Sequence, residues 1–236
     1  MRGAAIAVVL LLAAAAGSAL AADFTPSVSD LQGMGVVMSN PSGNSAAVTP
    51  TGTGISVSGT ISNFNPYPPE GTAGDFGQLQ VGYKGLGVHN EQYPMPPHLQ
   101  DLSAFAGYDL VVINNTGSVP IMANLFMNTG WTDSPHTDGD HYYQNGWAWV
   151  NPGESRAYRL DFLHAERYSP SYAADTSVEF LNRVTAIGFN VGANDPGGGA
   201  SVSFTVGAAP VPEPGTLALL ACGATGLVPF LRRRKR

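Results

Sequence analysis

The stretch from Trp131 to Tyr143, WTDSPHTDGDHYY, is the part of this chain most suggestive of chemistry, with three aspartates, two histidines and three aromatic residues. Asp133, Asp138 and Asp140 could supply the oxygen ligands that a hard cation such as calcium prefers. The acidic residue that closes an EF-hand loop is missing, so a solvated acidic loop between strands is the competing reading. His136 and His141 could join a carboxylate around zinc, but no helix aims the two at one point and no H-E-x-x-H occurs.

Just downstream, Trp147 and Trp149 lie two apart, so in a strand both emerge on one face. Aromatic faces are stacking platforms for sugar rings. With Trp131, Tyr142 or Tyr143 nearby, an outward face would make a glycan groove; an inward one would make core. Glutamates at 70, 91, 154, 166 and 179 form no short acid–nucleophile pair of the glycosidase kind. There is no Gly-x-Ser-x-Gly, and Gly197-Gly198-Gly199 precedes a strand rather than a helix, which excludes a phosphate cradle. The expectation is a protein that is not an enzyme.

The elements that must position these residues are strands. In Ile55-Ser56-Val57-Ser58-Gly59-Thr60-Ile61, apolar residues take the odd positions, Gly59 apart, and hydroxyls the even ones, the period of a half-buried strand. Val202, Phe204 and Val206 repeat the pattern. Further runs are 78–84, 108–115, 119–127, 146–150, 156–162 and 185–191. Asn114-Asn115-Thr116-Gly117 and Asn151-Pro152-Gly153-Glu154 are turn sequences, the second with Pro and Gly at the corners of a type II turn. These runs predict an all-β, antiparallel β-sandwich of jelly-roll type over residues 54–209. Helical turns are expected only near 99–105 and 177–182, and 23–53 reads as a first strand with a loose lead-in.

Composition supports this. Charged residues are 12% of the 236, while 29 Gly and 18 Pro favour turns over long helices. Between Asp23 and Pro212 five basic residues face 16 acidic ones, a balance that repels phosphate backbones and argues against nucleic acid as a partner. The single cysteine, Cys222, lies outside that domain, which therefore has no disulfide, thiol nucleophile or cysteine metal site.

Both ends read as targeting segments. Met1-Arg2, the apolar run 4–16 and the small residues 17–22 have the grammar of a secretory signal peptide, with cleavage expected after Ala21 or Ala22. At the other end, the apolar run 216–231 would measure about 24 Å as a helix, a short membrane span. The basic tail 232–236 would hold that end in the cytoplasm, so both signals predict an outward-facing domain.

Pro212-Glu213-Pro214, the apolar span and the basic terminus together resemble the PEP-CTERM sorting signal of Gram-negative bacteria that make extracellular polysaccharide. The resemblance covers about the last 26 residues, 211–236. It implies a substrate of exosortase, a membrane-embedded cysteine transpeptidase-like protease, with Pro212, Glu213 and Pro214 as recognition residues. It also implies a membrane anchor that is first held and then processed, delivering the domain to the cell surface or beyond.

A second resemblance rests on pattern. Leu102–Phe105 followed by Tyr108–Asn115, then Pro152–Ser155 with Tyr158–Asp161, Val184–Phe189 and Ser201–Val206, is similar to a galactose-binding-like jelly roll of the carbohydrate-binding-module type. It implies sugar binding by analogy of fold. The expectation is an exported envelope or matrix protein associated with extracellular polysaccharide through Trp131, Tyr142, Trp147 and Trp149, without a required cofactor unless calcium binds Asp133, Asp138 and Asp140. The alternative is a structural or adhesive surface protein with buried tryptophans.

Overall fold

The computed structural model describes residues 22–40, 44–61, 78–84, 94–130, 141–168, 171–193 and 199–208. Two antiparallel sheets dominate it. The strands are β1 Gly35–Asn40, β2 Ser45–Thr51, β3 Gly54–Ile61, β4 Gln78–Lys84, β5 Gly107–Asn115, β6 Ile121–Thr129, β7 His141–Gln144, β8 Ala148–Val150, β9 Ser155–Asp161, β10 Ala165–Arg167, β11 Ala173–Thr176, β12 Val184–Ala193 and β13 Ala200–Gly207. The larger sheet runs β1-β4-β12-β6-β7-β10-β11, with β8 also on β6, and the smaller runs β2-β3-β13-β5-β9.

The period-2 runs explain the layering. Ile55, Val57 and Ile61 of β3 and Val202, Phe204 and Val206 of β13 point inward from the smaller sheet. Their hydroxyl neighbours pair across strands on the other face, Ser58 opposite Ser203 and Ser56 opposite Thr205. Leu79 and Val81 of β4, Ile187, Phe189 and Val191 of β12, and Leu125 and Met127 of β6 meet them from the larger sheet. Phe189 and Phe204 touch edge to face across the two layers at 6.1 Å.

Turn chemistry behaves as its residues dictate. Gly153 has φ 78°, the left-handed corner that Gly tolerates, and Glu154 N–H donates to the Asn151 carbonyl at 2.9 Å. Glu154 Oε2 in turn accepts from Asn151 Nδ2 at 2.9 Å. Buried Asn115 braces the neighbouring turn by donating from Nδ2 to the carbonyls of Val119 (2.8 Å) and Val150 (2.9 Å).

Several boundaries differ from the sequence reading. Segment 23–53 holds a short helix, α1 Val28–Gln32, and two strands, one in each sheet, rather than one strand and a lead-in. The helix is made locally by a capping box, in which Ser27 Oγ accepts from Asp30 N–H at 3.1 Å and Asp30 Oδ2 accepts from Ser27 N–H at 2.9 Å. Near 99–105 there is only a 3₁₀ turn, Pro97–Leu99, and no helix forms at 177–182. The run 119–127 forms a strand over 121–129 instead, because Pro120 has no N–H for a ladder. Among the described residues no helix is long and apolar enough to cross a membrane; the expected leader and the span 216–231 lie outside them.

Gly82 and Gly188 sit opposite each other on β4 and β12. A Cβ on Gly188 would strike the Val81 carbonyl oxygen and come within 2.7 Å of Gly82 Cα, so the strands approach as only glycine permits. Gly188→Val should therefore destabilise the domain by about 1–3 kcal/mol in chemical denaturation. Burial, with Asp30 nearby, pushes the Tyr83 phenol from 10.0 up to about 12, and its O–H donates to the Asp30 carbonyl at 2.6 Å. The fold favours the protonated phenol, so its contribution is complete below pH 10.0 and is lost as pH rises through about 12. Denaturation across that window should show falling stability, and Tyr83→Phe should remove part of the fall; Tyr108, Tyr143 and Tyr158 are also shifted upward, chiefly by burial.

Candidate functional site

The inner face of the larger sheet is committed to the core, so a site on this sheet must use its outer face. Register decides which side chains share that face. Gln80, Asn190 and Asn124 lie in one cross-strand row on β4, β12 and β6. The next row is Gly82, Gly188, Phe126 and Gln144, ending at Glu166 on β10. On the far side of the amide row, Met122 is opposite Trp149 of β8.

The amides are joined. Asn190 Nδ2 donates to Asn124 Oδ1 at 2.7 Å and to the Tyr142 hydroxyl at 2.8 Å. The Tyr142 ring stacks on Phe126, with centroids 5.9 Å apart and planes at 9°. Tyr168 meets Tyr142 edge-on at 6.3 Å, and Tyr172 meets Tyr168 at 5.2 Å. Tyr168 and Tyr172 are exposed, so an aromatic series leads from the buried amides outward along the β10–β11 side.

Two polar atoms of the row stand out. Asn124 and Asn190 are buried, yet Asn124 Nδ2 and Asn190 Oδ1 have no hydrogen-bond partner among the described residues. A buried amide left unpaired costs about 1–3 kcal/mol. A group that both donates and accepts, such as a water or a hydroxyl, would satisfy the pair.

The expected site residues fall unequally. Trp149 is 40% exposed and Trp147 is half-buried, and neither belongs to the hydrophobic core. Tyr142 shares the outer face with Trp149; their partners on β6 are six positions apart, roughly 20 Å of strand. Tyr143 points the opposite way and is core. Trp131, the calcium candidates Asp133, Asp138 and Asp140, His136, and the sorting residues Pro212, Glu213 and Pro214 all lie outside the described residues.

His141 is described and is held by protein. Its Nδ1 is 3.1 Å from Glu179 Oε2 and 3.3 Å from the Tyr143 hydroxyl, while Arg167 approaches the same Glu179 oxygen at 3.6 Å. Among the described residues no three His, Cys, Asp or Glu side chains group as metal ligands would. The described glutamates are dispersed: Glu154 closes a turn, Glu166 ends a row of the outer face, and Glu179 pairs with His141.

Sequence reasoning misses Asn124, Asn190, Gln80, Tyr168 and Tyr172. The signal is an asparagine set inside an otherwise apolar run, as in IMANLFMNT and AIGFNVG, at the parity of the non-core face. The chain matches no protein-family model, no curated protein and no solved structure.

Tyr142→Phe removes one acceptor of Asn190 and should lower stability by about 1 kcal/mol in urea denaturation. Trp149→Ala, at an exposed position, should stay within about 0.5 kcal/mol of the parent.

Proposed function

We propose that this protein is an exported, non-catalytic envelope or matrix protein that associates with extracellular polysaccharide through the outer face of the larger sheet. The observation that carries this reading is the convergence, on one face, of an unsatisfied amide pair with aromatic rings on either side of it. Polysaccharides present this combination of needs: hydroxyls that donate and accept, and sugar-ring faces that stack on aromatic side chains. The amides are uncharged, which suits neutral sugar hydroxyls.

The fold reading is a jelly roll. Supporting it, β3-β13-β5-β9 faces β4-β12-β6-β7, an order in which successive strands of these eight alternate between sheets except for the β6–β7 pair, in the manner of a double Greek key. Sorting is read from sequence: a leader exports the domain, and residues 210–236 deliver it to exosortase through Pro212, Glu213 and Pro214, with the apolar span 216–231 as the membrane hold until processing.

The test is binding of the exported protein to the producing cell's extracellular polysaccharide, beside Trp149→Ala and Tyr142→Phe variants shown to remain folded. Saturable binding, weakened about tenfold by loss of the Trp149 ring, is the expected result. Absence of saturable binding in the parent protein would favour the structural or adhesive account instead. Equal binding by parent and variants would move the glycan site off this face.

A further inference from the structure

The first described residues are part of the sheet rather than a tail. β13 pairs with β5 only from Asn115 to Val112, which leaves the first half of β5 open on that side. Phe24 fills the opening in a parallel bridge to Tyr108. Its N–H donates to the Gly107 carbonyl at 2.8 Å, and its carbonyl accepts from Asp109 N–H at 2.8 Å. One residue earlier, Asp23 receives a two-pronged contact from Arg159, Nε to Oδ2 at 2.7 Å and Nη2 to Oδ1 at 2.9 Å. The same guanidinium reaches Asp161 at 2.6 Å. Paired, charge-assisted bonds of this kind fix both position and orientation. Ala22 contributes its carbonyl, which accepts from Ala106 N–H at 3.1 Å.

We propose that the leader is removed at the Ala21–Ala22 bond and that Ala22 is the first residue of the mature protein, latched to the sheet by its carbonyl and by Asp23. The two bonds nearest the latch follow Ala21 and Ala22. At Ala21–Ala22 the residues before the bond are Ala19-Leu20-Ala21, the small-x-small grammar of leader cleavage; at Ala22–Asp23 they are Leu20-Ala21-Ala22, with a large residue where a small one is needed.

The fold selects the same bond. Hydrolysis at Ala21–Ala22 adds water across the amide, breaks the C–N bond, leaves Ala21 a carboxylate on the departing leader and gives Ala22 an α-amino group. The Ala22 carbonyl stays an amide carbonyl and keeps its bond from Ala106. Hydrolysis one residue later would carry that carbonyl away as the leader's carboxylate, orphan the Ala106 N–H and set a new ammonium on Asp23, beside the guanidinium that already binds its side chain. The proposal is independent of any glycan site.

The full chain with its own leader, produced in a Gram-negative host, tests this by N-terminal sequencing and intact mass of the exported form. The expected start is Ala-Asp-Phe-Thr; any other start, or a retained leader, would overturn the assignment. Leu20→Ala creates a small-x-small match for the second bond, so a mixture of Ala22 and Asp23 starts should appear. The Asp23 species should melt several degrees below the Ala22 species. Equal melting temperatures would overturn the latch.

Discussion

The structure depends on one constraint: β12 is buried along both of its faces. Each of its residues from Val184 to Ala193 is buried, with β4 on one side and β6 on the other. A strand in that position must be apolar where it meets the opposite sheet, and small or internally bonded elsewhere. Ile187, Phe189 and Val191 meet the first demand. Ala186, Gly188, Asn190 and Gly192 answer the second, Gly188 by close approach to β4 and the asparagine by bonding across to Asn124 and Tyr142.

From that strand the rest of the domain follows outward. Register sets Gln80 in line with Asn190, two positions from the close approach of Gly188 and Gly82. Because β6 is paired along one edge by β7 and β8 in turn, Tyr142 and Trp149 appear on the same face although seven positions apart in a chain that turns between them. Asn145 manages that interruption: its side-chain Oδ1 accepts from Leu125 N–H at 2.6 Å where the ladder would otherwise break. The candidate face thus follows from how a two-sided strand is accommodated, with Asn124 Nδ2 and Asn190 Oδ1 left unpaired.

Much of this was legible in residues. The alternation in β3 and β13 and the Pro-Gly turn before β9 depend on neighbours two to four positions away, where side-chain period and turn geometry are local. The two strands in 35–51 were less legible. Ser45–Thr51 is half-exposed along its length and carries a proline, so its apolar signal is weak and its strand character comes from pairing with β3. Asn124 and Asn190 were hidden for a different reason. Each looks like an isolated polar residue in a core strand until register sets them side by side, 66 positions apart.

By itself, then, the sequence determined the all-β fold class and the face that each alternating strand turns inward. These are matters of composition and short period. Tertiary structure alone decided which strands share a sheet, that the amides of β6 and β12 meet a tyrosine from β7, and that Arg159 clasps Asp23 from 136 positions away. Those are register and closure relations between distant segments, and no local pattern in a chain encodes the partner that a buried polar atom will find.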